Sequence, residues 1–241
     1  MRLQAEPAFV LHAWAWRETS LLVEVLTRHH GRVGLVARGV MSARRHVQRA
    51  ALQPLQYVRL DAVLHGELAQ LVLAEALDAA PVLAGEALLS ALYANELVLR
   101  FAHRLDPQPE LFHAYARLRA RFAAGAHLGW SLRRFEAGLL DAVGLGFDWR
   151  TDAEGGPVQA DIAYRLDPEQ GPRAVRDAEG VPGAALLALA ATRTQYEEAA
   201  PPPGLAALRR GLRGVLSHHL HGPPLAAWRM PGEWAEVAGN R

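Results

Sequence analysis

Residues 20–38 read SLLVEVLTRHHGRVGLVAR, and the alternation within this stretch decides the fold. Leu21, Val23 and Val25 fall on one side of an extended chain, with Glu24 among the residues on the other. His29-His30-Gly31 reads as a turn. In the run after it Val33, Leu35 and Ala37 point one way, and Arg32, Gly34, Val36 and Arg38 the other. Working outward, residues 8–14, 55–60 and 67–77 read as three more strands, and 39–53 as a long basic loop. Five short strands within about 70 residues, closed by such a loop, predict a small β-barrel of the OB type. Leu21, Val23, Val25, Val33 and Leu35 are assigned to its core.

The same region is unusually basic. From Val25 to Leu60 there are seven arginines (Arg28, Arg32, Arg38, Arg44, Arg45, Arg49 and Arg59) and no Asp or Glu. The whole chain of 241 residues has a formal net charge of +1, so the remainder is acidic. That asymmetry marks a polyanion-binding module on a neutral or acidic scaffold. Arg32 and Arg38 on one strand, with Tyr57 and Arg59 on another, supply guanidinium groups for phosphates and a ring that stacks a base of any identity. Gly34 between them allows close approach of a backbone. The six tryptophans, Trp14 and Trp16 included, are open between packing and stacking.

Several chemistries are excluded. There is no cysteine, which removes disulfides, thiol catalysis and Cys-based zinc sites. All 26 basic residues are arginine, so a P-loop lysine and a Schiff-base lysine are impossible. No G-x-S-x-G or H-E-x-x-H occurs, and Gly144-Leu145-Gly146 follows a helical stretch rather than a strand. His218 and His221 read as a solvated helix end that complements the helix dipole rather than a metal pair. No catalytic constellation is visible, so the expectation is a protein without enzymatic activity, cofactor or metal. The N-terminus lacks the layout of a signal peptide and no run approaches 18 apolar residues. A soluble cytoplasmic protein with no membrane partner is expected.

Beyond residue 80 the periodicity turns helical, over 86–104, 110–124 and 131–143, then again over 183–192 and 205–220. Residues 148–181 are rich in Gly, Pro, Asp and Glu, with one strand-like piece at 162–166. The expected class is α+β: an OB-fold nucleic-acid-binding domain over 1–80, a helical domain over 81–147 and 182–241, and a loop-rich lobe over 148–181.

Ala8-Phe9-Val10-Leu11-His12, Arg17-Glu18-Thr19-Ser20-Leu21 and Gly31-Arg32-Val33 through Leu35-Val36-Ala37-Arg38-Gly39 resemble the N-terminal domain of the RecO family of bacterial recombination mediators. The likeness continues through Leu52-Gln53-Pro54, Gly66-Glu67-Leu68, Leu92-Tyr93, Asn95-Glu96-Leu97 and Pro109-Glu110-Leu111-Phe112. It reaches Leu132-Arg133-Arg134-Phe135-Glu136, Leu139-Leu140 and Gly144-x-Gly146, with order and spacing in agreement over 8–147. The resemblance implies an OB-fold, a central helical domain and a small lobe that in some relatives carries a four-cysteine zinc site. Without cysteine, this lobe is expected to hold by packing alone.

The resemblance further implies a non-enzymatic protein of DNA repair by homologous recombination. It would bind single-stranded and duplex DNA, anneal complementary strands and, with RecR, help load RecA on DNA coated by single-stranded DNA-binding protein. Arg28, Arg32, Arg38, Arg44, Arg45, Arg49, Tyr57 and Arg59 are the DNA-binding candidates. For the acidic, apolar C-terminal tail of single-stranded DNA-binding protein, Arg133 or Arg134 would meet the terminal carboxylate, with Leu132, Leu139 and Leu140 lining an apolar groove. Phosphate chemistry alone leaves two other readings: an adaptor whose basic face meets an acidic protein, and an RNA-binding OB protein.

Overall fold

The computed structural model describes residues 1–176, 180–192 and 200–228. Residues 1–123, rejoined by 225–228, make one compact unit, and 124–224 a second. In the first unit, strands β1 (Arg2–Trp16), β2 (Ser20–Thr27), β3 (Gly31–Ala37), β4 (Tyr57–His65) and β5 (Leu68–Ala76) close into a barrel in the order β1-β2-β3-β5-β4. All pairings are antiparallel except β3 with β5, which is parallel from Gly34↔Leu68 to Val36↔Gln70. This is the OB-like barrel that the alternation predicts. Leu21, Val23, Val25, Val33 and Leu35 are all buried inside it, with Val10, Val58 and Leu60.

Two parts of the barrel depart from the expectation. β1 begins at Arg2, not residue 8, because its register shifts between Leu3 and Glu6 and interrupts the alternation. At that shift Ala5 has φ 48° and its N–H donates to Asp61 Oδ1 at 2.6 Å. The 39–53 segment is not a plain loop. It holds a 3₁₀ turn (Ala43–Arg45) and helix α1 (His46–Ala51), and Val40, Ala51 and Leu52 enter the barrel core. Six residues are too few to show helical periodicity.

Helices α2 (Gly85–Phe101) and α3 (Pro109–Ala123) are bonded to the barrel. Asn95 Nδ2 donates to the Leu11 carbonyl at 2.8 Å, and the Tyr115 hydroxyl donates to Asn95 Oδ1 at 2.6 Å. Burial pushes the pKa of that hydroxyl well up. Arg119 donates to the Leu55 carbonyl at 2.7 Å and grips Asp78 with two bonds of 2.7 and 2.8 Å. After α2 the chain returns to β3, where the Leu105 N–H donates to the Arg32 carbonyl at 3.0 Å. Gly31, at φ +68°, lies against the Asp106 carbonyl, so a side chain there would be strained and would also collide. The chain re-enters this unit at the buried Leu225, and the N–H groups of Ala226 and Ala227 donate to Glu96 at 2.7 and 3.0 Å.

The second unit contains α4 (Leu128–Ala142), β6 (Ala163–Asp167), β7 (Gly171–Val175), β8 (Val181–Pro182), α5 (Gly183–Ala191) and α6 (Leu205–His219). The lobe expected to be loop-rich carries a three-stranded antiparallel sheet in the order β7-β6-β8. Sequence reading found only its middle strand. β7 begins Gly171-Pro172-Arg173 and β8 is two residues long, so neither shows alternation. Short bonds brace the loops: Asp152 accepts from the N–H groups of Glu154 and Gly156 at 3.0 and 2.8 Å. Trp149 is wholly buried, its ring 4.6 Å from that of Phe147. Leu208, Leu212, Val215 and Leu216 form the buried stripe of α6.

Candidate nucleic-acid interface

The structure divides the eight DNA-binding candidates by what their side chains already touch. Arg32 Nη1 donates to Glu24 Oε2 at 3.1 Å, and its Nε donates to the Ala102 carbonyl at 2.9 Å. Arg104 pairs with the same buried Glu24. Burial is the largest influence on the Arg32 pKa and lowers it, with Glu24 opposing, and both bonds commit the guanidinium to the barrel. Gly34 does admit a close neighbour, but the neighbour is the Arg104 guanidinium.

Arg59 is exposed yet directly opposite Glu75 across β4–β5, with 2.7 Å between Nη2 and Oε2. Tyr57 stacks on Phe9 at 4.7 Å, in a cluster completed by Phe112 and Tyr115. The open face expected from Arg32, Tyr57 and Arg59 is therefore not formed: one arginine is half-buried, the other paired, and the ring packed against its neighbours.

A different set of arginines is left without an ion pair. Arg38 follows β3 directly, and Arg44, Arg45 and Arg49 lie on the 3₁₀ turn and α1. Arg17, in the turn between β1 and β2, lines one groove with Arg38, and the Met41 N–H donates to the Thr19 carbonyl at 3.0 Å. Among the described residues no carboxylate pairs with Arg17, Arg38, Arg44, Arg45 or Arg49. A groove of about 740 Å³ runs between the turn and β3, lined by Trp16, Arg17, Glu18, Val36, Arg38 and Leu68 among others. Trp14 and Trp16 are 40% and 43% exposed.

Arg28 lies elsewhere. The β2–β3 hairpin pairs Leu21 with Ala37 at one end and Thr27 with Gly31 at the other. Six residues of strand set Arg28 roughly 20 Å from Arg38. Sequence reasoning passed over Arg17 because it lies outside the acid-free window and beside Glu18. The signal that could have found it is Trp14-x-Trp16-Arg17, two aromatics leading into a cation.

The set expected for a partner's tail is also rearranged. On α4 Arg133 Nε donates to Glu136 Oε2 at 2.6 Å, with a second bond from its Nη2, and both side chains are buried. Arg134 is buried, Leu139 and Leu140 have no exposure, and Leu132 is half-buried. An exposed guanidinium above a leucine-lined groove is not what α4 presents. The bond from residue 133 to residue 136, one helical turn along, explains why: the carboxylate that Arg133 meets is in its own helix. At the end of α6, His218 lies 3.5 Å from Glu169 and His219 is 3.1 Å from the Pro168 carbonyl.

The fold defines an OB-like barrel protein, its five-stranded barrel continued by helices. The sequence matches Recombination protein O N terminal over residues 1–80 and Recombination protein O C terminal over residues 83–229. The chain is 53% identical to the DNA repair protein RecO of Xanthomonas campestris pv. campestris, over 98% of each chain. It is 51% identical to that of Stenotrophomonas maltophilia, over 95% of this chain and 97% of the relative. The chain belongs to the RecO family of DNA repair proteins, and the match extends well past residue 147, where the quoted motifs end. Among the described residues no helix is long and apolar enough to cross a membrane.

Proposed function

We propose that the protein is a recombination mediator of the RecO type. It binds single-stranded and duplex DNA, anneals complementary strands and, with RecR, helps load RecA on DNA coated by single-stranded DNA-binding protein. The observation that carries this reading is that Arg17 and Arg38, which line one groove, and Arg44, Arg45 and Arg49 in the segment after β3 make no ion pair with a carboxylate among the described residues.

The chemistry required is modest. Guanidinium groups form charge-assisted bonds to phosphate oxygens and release condensed counterions, which lowers the repulsion between two strands brought together. Neither step makes or breaks a covalent bond. Val40, Ala51 and Leu52 anchor the 39–53 segment in the core, so its arginines are presented from a closed barrel rather than a free tail. The tail of single-stranded DNA-binding protein remains a proposed partner, with no docking role given to Arg133 while Glu136 holds it.

The test is annealing of complementary oligonucleotides already coated with single-stranded DNA-binding protein. The wild-type chain should accelerate it, and replacement of Arg38, Arg44, Arg45 and Arg49 by alanine should remove most of the acceleration. Annealing at the wild-type rate by that variant would overturn the reading.

A further inference from the structure

We infer that the groove beside Trp16 receives one unstacked nucleobase, and that this is where the protein distinguishes single-stranded from duplex DNA. The inference rests on the DNA-binding reading above and assigns a ligand to one groove of that site.

Trp16 is the last residue of β1, paired with Ser20 across the β1–β2 hairpin. Its indole is 43% exposed, whereas Trp130 and Trp149 are buried. An exposed indole at the lip of a groove offers a flat apolar face, and base–aromatic stacking is tolerant of base identity. The walls suit the same ligand. Val36 and Leu68 are apolar, while Arg17 and Arg38 bring positive charge to the groove and lack a carboxylate partner among the described residues. The volume of about 740 Å³ lies within the usual range of small-ligand pockets.

Glu18 decides which part of a nucleotide goes where. Glu18 is exposed and lines the same groove. It repels a phosphate and accepts hydrogen bonds from the ring N–H or exocyclic amine of a base. Phosphates therefore go to Arg17 and Arg38, and the base goes to Trp16 and Glu18. The bond from the Met41 N–H to the Thr19 carbonyl holds the two sides of the groove together. Bases of a duplex are already stacked and paired, and extruding one costs a few kcal/mol. Duplex DNA thus meets the arginines alone, and a single strand meets the arginines and Trp16.

The experiment compares three fluorescein-labelled ligands of equal length: a single strand, the same strand with abasic sites throughout, and the duplex. Each is titrated against the wild-type chain, Trp16→Leu and Trp16→Phe. The wild-type protein should bind the natural strand about tenfold more tightly than the abasic one, a stacking-sized difference. Trp16→Leu should abolish that difference and leave duplex affinity within about twofold, while Trp16→Phe retains most of it. Equal affinity of the wild-type chain for natural and abasic strands would overturn the inference, and so would a difference that survives in Trp16→Leu. The wild-type titrations need no folded variant. Failure to bind any of the three ligands would instead remove the DNA-binding reading on which the inference rests.

Discussion

Arg32 donates to Glu24 over 3.1 Å, from one barrel strand to the next. The same buried carboxylate takes Arg104 from the segment that follows α2, so two guanidinium groups from distant parts of the chain converge on one acid. Together with the bond from Arg32 Nε to the Ala102 carbonyl, this locks the end of α2 onto β3. An arginine in a basic window can thus be part of the scaffold.

Arg32→Ala should therefore act on stability before it acts on DNA. It removes a partner of a buried carboxylate and leaves the Ala102 carbonyl short of a donor, a loss of about 2–3 kcal/mol. Urea unfolding should show it, with affinity for single strands less affected than in Arg38→Ala. A fully stable Arg32→Ala with poor DNA binding would place Arg32 back in the interface.

The chain Leu11–Asn95–Tyr115 makes a second stability prediction. Tyr115→Phe deprives Asn95 Oδ1 of its donor inside the protein, at about 1–2 kcal/mol. The midpoint of denaturant unfolding should fall with no change in the salt dependence of DNA binding. An unchanged midpoint would show that this bond adds nothing.

On α4, Arg133→Ala strips a partner from the buried Glu136 and should cost about 3 kcal/mol. The readout is thermal unfolding alongside titration with the tail peptide of single-stranded DNA-binding protein. A variant that melts like the wild type but has lost the peptide would identify Arg133 as a docking residue after all.

A pH effect follows from the lobe. The Arg150 N–H and the Thr151 hydroxyl hold Asp148 below the ordinary carboxylate range, and the N–H groups of Glu169 and Gln170 do the same for Asp167. A depressed folded pKa adds stability that is present above the unfolded value near pH 4 and lost as pH falls through the folded one. The melting-temperature gap between the wild type and Asp148→Asn plus Asp167→Asn should shrink from pH 5 to pH 2. A constant gap would mean these bonds do not depend on the charge.

The barrel core was legible because a period of two sends Leu21, Val23, Val25, Val33 and Leu35 inward whatever else the chain does. Features that interrupt a period were not. The bulge near Ala5 hid the start of β1, and Pro172 hid β7. The charge reading found the basic region but could not tell its free arginines from its occupied ones. Glu24 and Glu75, the partners of Arg32 and Arg59, both lie outside the window of 25–60. A run without acids in sequence is not a surface without acids in space.

The most direct measurement is anisotropy of a labelled single-stranded oligonucleotide across a series of salt concentrations. If the five arginines without an ion pair each meet a phosphate, log affinity should fall against log salt with a slope of about −3.5. Arg38→Ala plus Arg44→Ala should bring the slope to about −2, while Arg28→Ala, at the far end of the hairpin, leaves these five arginines in place. A slope unchanged by the double substitution, or one reduced more by Arg28→Ala, would contradict the placement of the interface at this end of the barrel.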